Sequence, residues 1–475
     1  MDAEQRVVIA SNRGPVALVR DDAGAVVEKR GVGGLVTAVG GALYGRKATW
    51  IAAPITDDDR ARASSADASI NINGFRVRLA DIDGDLYDAY YNEFSNRILW
   101  FLHHHLWEPA RGPAFEPHEE EHWDAYREVN QRFASLIAEE APWDALCLPQ
   151  DYHLSLVPDA LRKFRPDLRV ALYWHIPFCQ PDQYRILPDA WGTALLEGML
   201  AADLIGFQTD RWATNFIACV RDVLGARARG KTITFKDRET RVGVYPVGVN
   251  EQNLSEEAAR PEVDEHLRQI DEMVGDRALI LRVDRTELSK NIMRGLIAYE
   301  TMLERKRALR ERVVHLILLA PSRRDVPEYR RYIDDCRLRA ERINDRFGTP
   351  DWKPIILEIE DNFPRTLAAY RRYDVLVVNP VYDGMNLVAR EGPTLNERDG
   401  VLVPSRNAGA AAELSPAALI VNPFDTLKTA TAIETALELG GEERRRRAVR
   451  LRKLARGTPP DRWLDEQTRD LTRLR

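Results

Sequence analysis

The chain has 475 residues, 44% hydrophobic and 30% charged, with a formal net charge of −6, so it exceeds one ordinary core and two domains are expected. Lys and Arg are interspersed with acids, which excludes a general nucleic-acid binder, and the basic run 444–447 follows Glu442 and Glu443 as on a solvated helix face. No apolar stretch is long enough to cross a bilayer, the chain enters a strand-like segment at once without a leader, and the four cysteines lack a metal or redox spacing, which together predict a cytoplasmic protein with reduced thiols.

In chain order, apolar runs bounded by turn residues predict strands at 7–10, 50–53, 145–148, 170–174, 204–207 and 242–246, with a helix at 123–140. A second series predicts strands at 279–283, 314–320, 355–359, 374–378, 401–404 and 418–421, with helices at 292–306 and 329–347 between them. Strands alternating with helices mean parallel sheets covered on both faces. Two such series predict an α/β protein of two facing, doubly wound, Rossmann-like domains. The divide is expected at a Pro-Val-Gly-Val-Asn segment, giving an N-terminal domain 1–247, a C-terminal domain 248–455 and a tail 456–475. In the tail, Trp463, Leu464, Leu471 and Leu474 are spaced as in a helix that packs back on the first domain. Two facing domains of this class hold ligands in the cleft outside the carboxyl ends of their strands.

The residues that follow the predicted strands carry the chemistry. Asp383 and Gly384 form a turn after the 374–378 run, and a helix is expected to open near Met385. The first turn of such a helix suits a phosphate, and Glu391 stands within reach of a ribose diol. The other reading is an ordinary strand–helix turn. Arg285 and Lys290 follow the 279–283 run, where two cations can neutralise a departing diphosphate. The alternative is a pair of surface basic residues. Arg323 follows the next strand, and its guanidinium fork fits a phosphate monoester. Near the N-terminus, Gly33 and Gly34 permit close approach of backbone to phosphate, though turns also use such pairs. Asp151 and His175 each follow a buried-type strand; alone, either residue is more often structural. His103, His104 and His105 are consecutive, cannot all face one ion, and have no cysteine beside them, so no metal and no cofactor is expected.

Taken in order, these segments resemble the trehalose-6-phosphate synthase family of retaining glycosyltransferases, of GT-B type. The resemblance spans nearly the whole chain. It rests on SNRGPV (11–16), YYNEFSNRILW (90–100), DYHLSLVP (151–158), HIPF (175–178), ADLIGFQT (202–209), VDRTELSK (283–290), PSRRDVPEY (321–329), DGMNLVARE (383–391) and NAGAAAEL (407–414). It implies transfer of glucose from a nucleotide sugar to glucose 6-phosphate, giving α,α-trehalose 6-phosphate. It implies that Arg13, Tyr91, Trp100 and Arg323 hold the acceptor phosphate. Arg285, Lys290, Asp151, His175 and Asp383 would be the catalytic set, with Asp151 facing the acceptor, His175 the donor sugar, and the two cations the donor diphosphate. Asp383, Gly384, Met385 and Asn386 would hold donor-sugar hydroxyls. Leu387 and Val388 would offer backbone N–H groups to the diphosphate, Glu391 would bind ribose, and Gly33 and Gly34 would close over the donor. The domains would close to bring the substrates together. Partners would be the nucleotide-diphosphate glucose and glucose 6-phosphate, without nucleic acid or membrane; the oligomeric state, monomer or homo-oligomer, is not legible.

Three departures stand out. Ala52-Ala-Pro-Ile55 replaces a segment that often carries an aromatic residue near the acceptor. Asn291 stands where glycine usually follows the lysine. The stretch after Glu391, ending Asn396-Glu-Arg-Asp399, resembles the validamycin-pathway pseudo-glycosyltransferase, which couples a GDP-cyclitol to an aminocyclitol phosphate. That stretch favours GDP-glucose slightly over UDP-glucose and supplies an alternative function, coupling of a nucleotide-cyclitol to an aminocyclitol phosphate. Tyr91 and Trp100 weigh against the alternative. A silent sensor or scaffold would be expected to lack part of the Arg285, Lys290, Asp383 and Glu391 set, and all four are present.

Overall fold

The computed structural model describes residues 7–21, 23–31, 34–65, 68–72, 74–323 and 326–474. They form two compact units. The first takes the described residues of Met1–Val247 and Pro460–Arg475; the second is Gly248–Pro459.

Among the described residues the first unit holds a ten-stranded sheet. Its parallel centre runs Arg238–Val244, Leu204–Phe207, Arg169–Trp174, Leu146–Pro149, Val7–Ser11, Ala48–Ala52 and Phe75–Leu79. Antiparallel strands close the edges: Thr232–Phe235 and Arg227–Arg229 on one side, Ser69–Ile72 on the other. Leu146–Pro149 and Leu204–Phe207 are buried at every residue, as parallel strands covered on both faces must be. Phe75–Leu79, next to the edge, was not predicted, because its sequence (FRVRL) alternates apolar with charged residues and gives no continuous apolar run. The helix His118–Glu140 begins earlier than predicted; Glu119, Glu120 and Glu121 favour the positive end of the helix dipole without adding an apolar signal. A wide-turned π-helix, Ala89–Leu99, carries Tyr91.

The second unit holds a five-stranded, wholly parallel sheet in the order Ile355–Ile359, Val313–Ala320, Ala278–Arg285, Val375–Val378, Val401–Pro404. The predicted strand at 418–421 is not one. Only Val421 makes a bridge, to Ser405, and Pro423, which has no N–H to donate, stands two residues further on.

The chain passes between the units twice. Gly248 N–H donates to Thr458 O at 2.6 Å and Val249 N–H to Arg456 O at 3.2 Å, so the two ends of the second unit are zipped together. A Cβ on Gly248 would lie 2.2 Å from Arg456 O, so only glycine fits there. The helix Pro460–Arg473 completes the first unit. Trp463 on it is wholly buried, its Nε1 donates to Tyr245 O at 3.1 Å, and its ring lies 4.9 Å from that of Tyr173. Among the described residues no helix is long and apolar enough to cross a membrane.

Candidate active site

In the second unit, Ala278–Arg285 and Val375–Val378 run parallel and deliver their following turns to one edge. Lys290, in the short turn Leu288–Lys290, places Nζ 2.6 Å from Asp383 Oδ2. Burial opposes the charge on Lys290, but the carboxylates of Asp383 and Asp284 outweigh it and raise its pKa, so it stays an ammonium. Asp284 pairs with Arg282 at 2.7 Å and is pushed up by burial to about 6.

Asn386 takes left-handed backbone (φ 74°). Its Nδ2 donates to Asp383 Oδ2 at 3.0 Å, and its Oδ1 accepts from Ala389 N–H at 3.1 Å. The helix therefore starts at Val388, with Leu387 as its cap, and not near Met385 as expected from sequence. Leu387 and Val388 lie at the end where helical N–H groups have no partner within the helix. Glu391 Oε2 accepts from Tyr370 OH at 3.3 Å, and burial lifts its carboxyl to about 7.

Two residues that sequence reasoning missed hold this loop in place. Arg390 is fully buried, donates to Glu413 at 2.8 Å and to the carbonyls of Leu454 and Ala455, and lies 3.4 Å from Met385 Sδ. Gly409 N–H donates to Asp383 O at 3.1 Å, and a Cβ there would stand 1.9 Å from Gly384 O. The signal for Gly409 was its place after the 401–404 strand in the NAGAAAEL segment. Gly409→Ala must displace Gly384; on the expectation from sequence that this loop holds the donor sugar, a shift of about 1 Å there should cost about a hundredfold in kcat/KM, with an unfolding midpoint that shows the sheet intact.

Arg323 is also on the second unit, held at φ 46°, with Nη1 donating to Tyr329 OH at 2.7 Å. Arg285 pairs with Glu287 at 2.8 Å.

The first unit carries the remaining candidates. Arg13, just past Val7–Ser11, brings Nη2 to 3.4 Å from Tyr91 OH. Tyr91 is stacked between Tyr87 (ring centroids 5.1 Å apart) and His153 (5.6 Å). Trp100 is buried and stacks on His104 at 3.8 Å. Asp151 sits at φ 73°, a strained position for a residue with a side chain and one that structures tolerate at functional sites. Its N–H donates to Tyr173 O at 2.6 Å and its Oδ1 accepts from His175 N–H at 3.1 Å, so the ends of two neighbouring strands are tied together. His175 Nε2 lies 2.9 Å from Gln150 Oε1, and burial pulls the imidazole down to about 3, so it is neutral at physiological pH. Trp463 backs it at 6.0 Å. Gly34 opens the helix Gly34–Leu43; Gly33 lies outside the described residues. His103 Nδ1 accepts from Cys179 N–H at 3.2 Å and His104 Nδ1 lies 2.9 Å from Trp100 O, so both are packing residues.

The departures now have physical readings. Asn291 occupies left-handed backbone (φ 60°), where asparagine is the best substitute for glycine, and its side chain bonds Asn379 O and Pro423 O, both at 2.9 Å. The stretch that favoured GDP-glucose is engaged within its own unit. Asn396 bonds Tyr370 O, Tyr373 O and the N–H groups of Arg398 and Gly400, while Glu397 pairs with Arg371 and Asp399 with Arg452. Ala52, Ala53 and Pro54 are buried, with Ala53 N–H donating to Asn12 O at 3.2 Å.

Comparison with known proteins matches residues 5–473 to glycosyltransferase family 20. Aspergillus niger α,α-trehalose-phosphate synthase [UDP-forming] 2 is 33% identical over 460 residues, 95% of this chain and 94% of that one. Trehalose-6-phosphate synthase of Mycobacterium leprae is 34% identical over 469 residues, 96% and 92% of the two chains. A solved E. coli structure described as bound with UDP-2-fluoro glucose superposes with a TM-score of 0.86 at 28% identity, covering 98% of this chain and 99% of that one. A Burkholderia xenovorans UDP-forming synthase in complex with glucose-6-phosphate gives 0.85 at 29% identity, covering 98% and 100%.

Proposed function

The chain belongs to glycosyltransferase family 20, and on that premise we propose that it transfers glucose from UDP-glucose to glucose 6-phosphate, with retention, to give α,α-trehalose 6-phosphate. The observation that carries the reading is the Lys290–Asp383 pair, 2.6 Å apart at the carboxyl ends of parallel strands, beside the start of the helix Val388–Leu395 and Glu391. Relatives named as UDP-forming support that donor over GDP-glucose and do not favour the pseudo-glycosyltransferase alternative.

In this reading Arg285 and Lys290 take the donor diphosphate, together with the N–H groups of Leu387 and Val388. Asp383, Gly384, Met385 and Asn386 hold the sugar, and Gly33 and Gly34 cover it. Arg13, Tyr91, Trp100 and Arg323 take the acceptor phosphate. Asp151 and neutral His175 orient acceptor and donor sugar. Asp383 is engaged with Lys290 and Asn386, which suits a binding role better than attack on the anomeric carbon. The leaving diphosphate oxygen then accepts the proton of the attacking acceptor hydroxyl as the new bond forms on the same face, and the protein's part is to position groups and stabilise charge. A cytoplasmic setting fits these substrates and the four cysteines, all buried and unpaired.

Glu391 makes donor binding pH-dependent. Its carboxyl sits at about 7 in the free protein, and a ribose diol is best accepted by the ionised form. As pH falls below that value the protonated form dominates, and kcat/KM for the donor should fall about tenfold per pH unit. Glu391→Gln should remove that slope. The test of the function is product analysis with glucose 6-phosphate and a steady-state comparison of UDP-glucose with GDP-glucose. Trehalose 6-phosphate formed faster from UDP-glucose is the expected result; a GDP preference overturns the donor, and no disaccharide phosphate from either overturns the reading.

A further inference from the structure

On the reading that Arg285 meets the donor diphosphate and Arg323 the acceptor phosphate, we propose that Glu287 is a positioning residue whose single buried carboxylate holds both guanidinium groups and so couples the two phosphate sites. Its Oε1 lies 2.8 Å from Arg285 Nη1 and 3.9 Å from Arg323 Nη1, and it accepts from Ser322 Oγ at 3.0 Å. The backbone builds this meeting point. Ala278–Arg285 and Val313–Ala320 pair with Arg285 opposite Ala320, so their following loops leave side by side. Thr286 N–H donates to Ala320 O and Ser322 N–H to Thr286 Oγ1, both at 2.9 Å, which staples loop to loop.

The Glu287 side chain is wholly buried, that of Arg323 is 5% exposed, and that of Arg285 is 46% exposed. Burial alone would favour a neutral acid. The charges of Arg285, Arg323 and Lys290 outweigh it and hold the carboxyl down at about 2. Glu287 Oε2 is buried without a hydrogen-bond partner among the described residues, a cost that a residue serving only to fill space would not carry. One negative charge is thus shared by two cations that face two different phosphates. When one guanidinium is removed, the carboxylate is no longer balanced between the two and draws the other out of line with its phosphate.

Calorimetric titration with UDP and, separately, with glucose 6-phosphate tests this without relying on turnover. Glu287→Gln should weaken both ligands by about tenfold each while the unfolding midpoint shows a folded protein. Arg285→Ala, at a half-exposed side chain, should weaken glucose 6-phosphate as well as UDP, and the effect on glucose 6-phosphate should vanish when Glu287→Gln is already present. A simple loss of positive charge would persist in that double variant. Weakening of only one ligand by Glu287→Gln, or an Arg285→Ala effect on glucose 6-phosphate that survives in the double variant, overturns the coupling. If the unaltered protein binds neither ligand, the functional reading fails instead. Should Glu287→Gln not fold, Glu287→Asp keeps the charge and draws it back from Arg323; it should weaken glucose 6-phosphate more than UDP, and equal or no weakening overturns the proposal.

Discussion

Lys290→Ala should fold normally and turn over about a hundred to a thousand times more slowly. The Lys290 ammonium lies 2.6 Å from Asp383 and is held charged against burial by Asp383 and Asp284. On the proposed reading, its removal leaves two carboxylates facing a diphosphate whose negative charge grows as the glycosidic bond breaks. That charge is largest in the transition state, so the loss should fall on kcat more than on KM. Steady-state kinetics beside an unfolding curve make the measurement. The same reading expects the unaltered protein to work in the presence of a chelator, because protein cations serve the leaving group. An unchanged kcat in Lys290→Ala, or abolition of activity by the chelator, contradicts it.

Free glucose should be a poor acceptor beside glucose 6-phosphate. Arg13 presents its guanidinium beside Tyr91 OH, and Arg323 is fixed by Tyr329 and Glu287. A charge-assisted contact contributes roughly 1.5–3 kcal/mol, so loss of both arginine contacts should lower acceptor kcat/KM by about a hundred- to ten-thousandfold. Arg323→Ala alone should cost about ten- to a hundredfold with glucose 6-phosphate and leave the small rate with glucose nearly unchanged. Equal use of the two acceptors refutes the assignment of these residues to a phosphate.

The parallel cores of both units were legible because fully buried strands leave unbroken apolar runs, as at Leu204–Phe207 and Val401–Pro404. The residues just past those strands could be picked out by their chemistry, since Asp383, Lys290 and Asp151 are polar groups at the ends of apolar runs. What the sequence hid was support. Nothing in the one-dimensional pattern tells that Gly409 must lack a Cβ so that Gly384 can pass, or that Arg390 is buried against Glu413 and the carbonyls of Leu454 and Ala455. The start of the helix after Asp383 was misplaced because Asn386, of a residue type that favours caps and turns over helix interiors, takes the left-handed conformation and its side chain accepts from Ala389 N–H in the helix's first turn. Glu287 reads in sequence as one more charge among many; only the register of two adjacent strands reveals that it lies between two arginines.

The first unit is discontinuous, and that bears on how the chain is made. A ribosome delivers residues from the N-terminus, so Gly248–Pro459 emerges whole and can fold while the first unit still lacks its last helix. Trp463, which closes the core over Tyr173 and backs His175, is translated only after the whole of the second unit. Until then the nascent first unit carries an open apolar seam as large as an indole ring, a surface for chaperones to occupy. A chain cut short before Trp463 would have a complete second unit, while His175, set by residues translated long before, would lack its backing.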